Sequence, residues 1–67
     1  MIAFLLAEGF EETEAIVPID ILKRAGFDVK TVSISESLFV SGSHGITVKC
    51  DKLSEELDFS ELEAVVL

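Results

Sequence analysis

An unbroken apolar run, Ile2-Ala3-Phe4-Leu5-Leu6-Ala7, leads within a few residues into a helical pattern, and this constrains the fold more than any other feature of the chain. A strand with one wetted face alternates apolar and polar residues. A short run that is apolar at every position reads instead as a strand buried on both faces, as in a parallel sheet. Glu8-Gly9-Phe10 reads as the turn that follows. From about Glu11 to Ala25 the spacing predicts a helix, with Ala15, Ile19, Leu22 and Ala25 at helical intervals and Gly26 as the stop. Glu11, Glu12 and Glu14 fall in the first turn and Lys23 and Arg24 in the last, which suits the helix dipole at both ends. Phe27–Ile34 alternates apolar and polar residues more plainly and reads as a second strand, nearer a sheet edge. Strand, helix and strand in this compass define a βαβ unit, so the two strands should be parallel and joined by a right-handed crossover.

The second half of the chain is less regular. Leu38-Phe39-Val40 and Ile46-Thr47-Val48-Lys49 flank Ser41-Gly42-Ser43-His44-Gly45, a β-hairpin signal with glycines available for positive φ. Leu53–Phe59 reads as a short, weak helix or loop with a cap region at Ser54-Glu55-Glu56, and Ser60–Glu63 is polar. Ala64-Val65-Val66-Leu67 reads as the start of a third buried core strand. In open parallel sheets the functional loops lie at the carboxyl ends of the strands. Residues 1–67 are therefore expected to be the N-terminal piece of one larger α/β domain, or one chain of a nicked or split one, with the remainder of the domain as its partner and no second domain.

Composition narrows the function classes. Thirteen acidic against five basic residues give a net charge of −8, which repels phosphate backbones and argues against nucleic-acid binding. Forty-nine per cent of the residues are hydrophobic, rich for 67 residues, and a domain of that size buries only about 60% of its unfolded surface. The richness points to apolar surface that must be covered from outside the segment. No apolar run approaches the roughly 20 residues of a membrane span, and the N-terminus lacks a basic signal-peptide start. The single cysteine, Cys50, excludes an internal disulfide and agrees with a reducing compartment. A cytoplasmic protein is expected.

Among candidate chemical residues, Glu14 stands out because it begins the apolar stretch. Acids in a first helical turn stabilise it, and Glu11 and Glu12 are read that way. For Glu14 the same reading competes with a general acid/base or thiol-partner role near the carboxyl end of the first strand. Pro18 removes the hydrogen bond to the Glu14 carbonyl, so a kink or loosening is expected there, with the Glu14 side chain turned inward. Cys50 reads as a structural cysteine or, alternatively, as a redox-sensitive thiol; a low-pKa thiol needs a helix N-terminus or a cationic neighbour. His44 reads as a solvated turn histidine or as a contact to a partner subunit. No Ser-His-Asp order, metal-ligand spacing or phosphate loop is present, so neither a metal nor a cofactor is expected.

Ala7-Glu8-Gly9-Phe10-Glu11-Glu12-Thr13-Glu14-Ala15 followed by Pro18-Ile19-Asp20-Ile21-Leu22-Lys23-Arg24-Ala25-Gly26 resembles the N-terminus of the ThiJ/PfpI superfamily, more closely its DJ-1-like branch. Val40-Ser41-Gly42-Ser43-His44-Gly45-Ile46 with Cys50-Asp51 resembles the hairpin of that branch, so the resemblance covers essentially the whole chain. It implies a flavodoxin-like α/β parallel-sheet sandwich, of which this segment supplies the βαβ unit, a hairpin and the start of a third core strand. It implies a nucleophilic cysteine on a strand-to-helix elbow outside these residues, hydrogen-bonded by a glutamate that matches Glu14. It also implies homodimerisation through the first helix and the hairpin, with Arg24 and His44 as interface candidates. Some relatives carry an arginine where this chain has His44. The implied activity is glyoxalase or deglycase chemistry on a small α-oxoaldehyde; older descriptions of bacterial members name thiazole monophosphate biosynthesis. The alternative is a non-catalytic redox sensor or chaperone-like dimer on the same fold. Cys50 does not match the nucleophile.

Overall fold

The computed structural model describes all 67 residues. Its elements run β1 (Ile2–Leu6), α1 (Glu12–Arg24), β2 (Val29–Ser33), β3 (Phe39–Ser41), β4 (Thr47–Lys49), β5 (Lys52–Leu53), two single 3₁₀ turns at Ser54–Glu56 and Phe59–Glu61, and β6 (Ala64–Val66). Four strands form a parallel sheet in the order β5-β2-β1-β6, and β3 and β4 form a separate antiparallel pair. The expected α/β architecture, with β1 and β2 parallel around a helix, is what the chain adopts.

β1 is apolar throughout because both of its faces are covered. Phe4 packs with Ile19 of α1 and Val29 of β2, with Ile2 and Leu22 beside them. On the opposite face Ala3 packs with Val32 and Leu57, flanked by Met1, Leu5 and Leu62. A third group, Leu6, Val40 and Cys50 with Phe10, Ala15 and Val48, joins the end of β1 to the hairpin.

α1 ends in a Schellman motif. The Phe27 N–H bonds the Leu22 carbonyl and the Gly26 N–H bonds the Lys23 carbonyl, with Gly26 at φ 92°. Only glycine takes that backbone conformation without strain, which is why the helix stops there. The helix runs unbroken past Pro18.

β2 lies nearer the sheet edge, as its alternation suggested, with only the two-residue β5 on its outer side; even so, Val29, Thr31, Val32 and Ser33 are all buried. Its polar residues are tolerated because Thr31 bonds Asp51 and Ser33 bonds Ser35 and the Ser37 carbonyl. The short, weak helix or loop expected over Leu53–Phe59 takes the form of a 3₁₀ turn at Ser54–Glu56, and a second 3₁₀ turn follows at Phe59–Glu61. β6 pairs with β1 as expected, but its residues are exposed, since nothing in the segment packs over them.

Candidate functional site

The carboxyl end of β1 turns through Ala7–Phe10 into α1, and the hairpin is stitched to this turn. Gly9 N–H bonds the Ser41 carbonyl at 2.8 Å, Ser43 N–H bonds the Phe10 carbonyl at 2.8 Å, and the Ser41 N–H bonds Glu8 Oε1 at 3.2 Å. The helix start and the hairpin loop are thus one structural unit.

Each of the three glutamates of the first turn has a different place in it. Glu11 is the N-cap, and its Oε1 accepts from the N–H of Thr13 at 2.8 Å and of Glu14 at 3.4 Å. Glu12 is the buried one, 7% exposed. Its Oε2 accepts from the His44 N–H at 2.7 Å and the Ile46 N–H at 3.3 Å, and its Oε1 lies 3.1 Å from His44 Nδ1. The fit is close: a Cβ on Gly42 would stand 2.4 Å from the Glu12 carboxyl carbon, so only glycine leaves room for this side chain. Burial alone would raise the Glu12 pKa. Hydrogen bonds from its own N–H, the His44 imidazole and the N–H groups of His44 and Ile46 outweigh burial and hold it at about 2, against an ordinary 4.5.

Glu14 is exposed, contrary to the expectation of a side chain turned inward. The carbonyl freed by Pro18 does not redirect it. It lines a cavity of about 210 Å³ with Phe4, Leu5, Leu6, Phe10, Glu11, Ala15, Val66 and Leu67, at the carboxyl ends of β1 and β6. The expectation that Glu12 serves only the helix end is likewise corrected, because it clasps the hairpin. The helical period carried the signal: positions 12, 15, 19 and 22 share one stripe, and Ala15, Ile19 and Leu22 face the sheet. Extending that stripe back by three residues lands on Glu12, not Glu14.

Arg24, His44 and Cys50 do not line this cavity. Arg24 is exposed in the last turn of α1, and its Nε donates to Asp20 Oδ1 at 2.9 Å. His44 is exposed beside the helix start, paired with Glu12 and 3.7 Å from Glu11 Oε2. Cys50 is a buried free thiol, pushed up in pKa chiefly by burial, which describes a packed cysteine rather than a reactive one. Asp51, to which the sequence assigned no role beyond the hairpin resemblance, accepts from the N–H and hydroxyl of Thr31; despite partial burial those bonds lower its pKa, aided by Lys23 and Lys30. No helix is long and apolar enough to cross a membrane.

A parallel α/β sheet with a carboxylate-bearing helix start at the carboxyl ends of its strands defines a class of flavodoxin-like proteins that place their sites there. Within that class the DJ-1/PfpI family model matches residues 1–67, and the chain belongs to that family. It is 36% identical over 66 residues to deglycase TK1284 of Thermococcus kodakarensis, covering 98% of this chain and 39% of the relative. It is 38% identical over 66 residues to deglycase PfpI of Pyrococcus furiosus, with the same coverage, 98% and 39%. The crystal structure of DJ-1 superfamily protein STM1931 from Salmonella typhimurium superposes with a TM-score of 0.93 at 45% identity, covering 98% of this chain and 36% of that one. The oxidized DJ-1 of Toxoplasma gondii superposes with a TM-score of 0.90 at 33% identity, covering 96% and 35%. The chain thus spans about two fifths of the length of the curated relatives it matches.

Proposed function

We propose that residues 1–67 supply the first βαβ unit and one carboxylate, Glu14, to a cysteine-dependent site that acts on α-oxoaldehydes or their adducts, as a glyoxalase or deglycase. The observation that carries this reading is the position of Glu14 on the cavity at the carboxyl ends of β1 and β6. The names of the relatives, deglycases among them, support the substrate class. In this reading the remainder of the domain covers the exposed β6 and brings the nucleophilic cysteine from sequence outside these residues. The thiolate adds to the aldehyde carbon, a hemithioacetal forms, and Glu14 supplies the proton that the new alkoxide takes up. Cys50 has no part in it, since it is packed against Leu6 and Val40. A homodimer through the outer face of α1 belongs to the same proposal; Ile16, Val17 and Ile21 are exposed there, with Arg24 in the last turn and His44 beside the first.

The test is methylglyoxal turnover by the full-length protein and by its Glu14→Ala variant. The expected outcome is a fall in kcat of about 10²–10⁴-fold, the usual contribution of a positioned acid or base. Unchanged turnover would remove Glu14 from the chemistry. A protein that turns over no aldehyde but accumulates a stable cysteine sulfinic acid would replace this reading with a redox sensor.

A further inference from the structure

The two carboxylates at the start of α1 divide their oxygens in the same way. Glu11 places Oε1 on the N–H groups of Thr13 and Glu14 and leaves Oε2 facing His44 Nδ1 at 3.7 Å. Glu12 places Oε2 on the N–H groups of His44 and Ile46 and leaves Oε1 facing the same Nδ1 at 3.1 Å. In each case the backbone fixes one oxygen and aims the other at a single imidazole nitrogen. The three residues come from two separate elements, and one ligand atom from each lies within 4.8 Å of the others. They open on a cleft of about 260 Å³ lined by Glu11, Glu12, Thr13, His44 and Ile46.

We propose that Glu11, Glu12 and His44 form a binding site for a divalent cation of the zinc class. Glu11 Oε2, Glu12 Oε1 and His44 Nδ1 are its ligands, and the fourth position opens to the cleft. Zinc bonds of about 2.0–2.2 Å at tetrahedral angles put neighbouring ligand atoms roughly 3.3–3.6 Å apart. The separations of 3.1 and 3.7 Å from Nδ1 bracket that range. One imidazole with two carboxylates suits Zn²⁺, Co²⁺ or Ni²⁺, whereas Ca²⁺ takes oxygen alone and Cu⁺ takes sulfur. Two carboxylate charges balance the ion. The backbone N–H groups on the other oxygens act as the outer layer that orients metal-binding carboxylates. The Ser43 hydroxyl, 3.0 Å from Nδ1 and 3.5 Å from Glu12 Oε1, stands within reach of the same centre. The site shares Glu11 with the cavity that Glu14 lines, but Glu14 is not among its ligands.

The test is calorimetric titration of ZnCl₂ into the full-length protein, wild type against His44→Ala and Glu11→Gln. His44 is exposed and its N–H stays in place in the alanine variant, and glutamine keeps the cap acceptor of Glu11, so both variants preserve the fold. The variants leave every thiol untouched, so only an equivalent that changes with them counts. Expected is one zinc equivalent per chain that weakens at least tenfold in both. Visible absorption of added Co²⁺ gives a second readout: a d–d band in the wild type that His44→Ala abolishes. Wild-type affinity and stoichiometry retained in His44→Ala, or no saturable zinc binding in the wild type, overturns the proposal.

Discussion

Glu12 keeps its charge because the folded chain surrounds it with donors, and that ties stability to pH. Its folded pKa of about 2 lies below the ordinary 4.5, so the unfolded chain takes up a proton that the folded chain refuses. The Glu12 contribution is therefore complete above pH 4.5 and is lost as the pH falls toward 2. Urea midpoints measured across that window should show Glu12→Gln less stable than wild type at neutral pH, with the gap closing as the solution is acidified. A gap independent of pH would mean that the side chain acts by shape alone. At this scale the sequence was only partly readable. Glu11 as a helix-end residue follows from its position before the helix. For Glu12 the helical stripe reports the inward face, but not its partners: His44 and Ile46 are more than thirty residues away, and no local rule reports a distant backbone N–H.

α1 shows how far local rules reach. Acids first, cations last and Gly26 after Ala25 placed its ends within a residue of Glu12 and Arg24, because caps and dipole are set by neighbours in sequence. Pro18 sits inside the helix and leaves the Glu14 carbonyl without its usual donor, yet the helix continues, held by Ile19 and Leu22 on the sheet. Pro18→Ala should restore that donor and stabilise the protein by about 1–3 kcal/mol, read as a rise in the denaturation midpoint. A fall would show that Pro18 is needed for packing. The hairpin was readable from its glycines. β5 was not, because two residues carry no period; Lys52–Leu53 becomes a strand only because β2 offers an edge to it.

For the whole molecule, β1 is the hub, paired with β2 on one side and β6 on the other. One sheet face is covered by a helix and the other only by Leu57, Leu62 and the short turns around them. Opening should follow that asymmetry. Native-state hydrogen exchange should find the amides of Ala3–Leu6 the slowest and those of β6 faster by about tenfold or more; equal protection would show that β6 is anchored as firmly as the hub. The parallel sheet was legible because β1 is apolar at every position. The exposure of β6 was not, since Ala64–Leu67 has the composition of a core strand whichever surface it meets. The pairing of Ile2 with Ala64 also orders events at the ribosome. β1 emerges before β2, which can join it early, but the other edge of β1 stays open until residues more than sixty positions later have emerged. During that interval the nascent polypeptide presents an unpaired apolar strand, the kind of surface that trigger-type chaperones shield and that slow elongation prolongs.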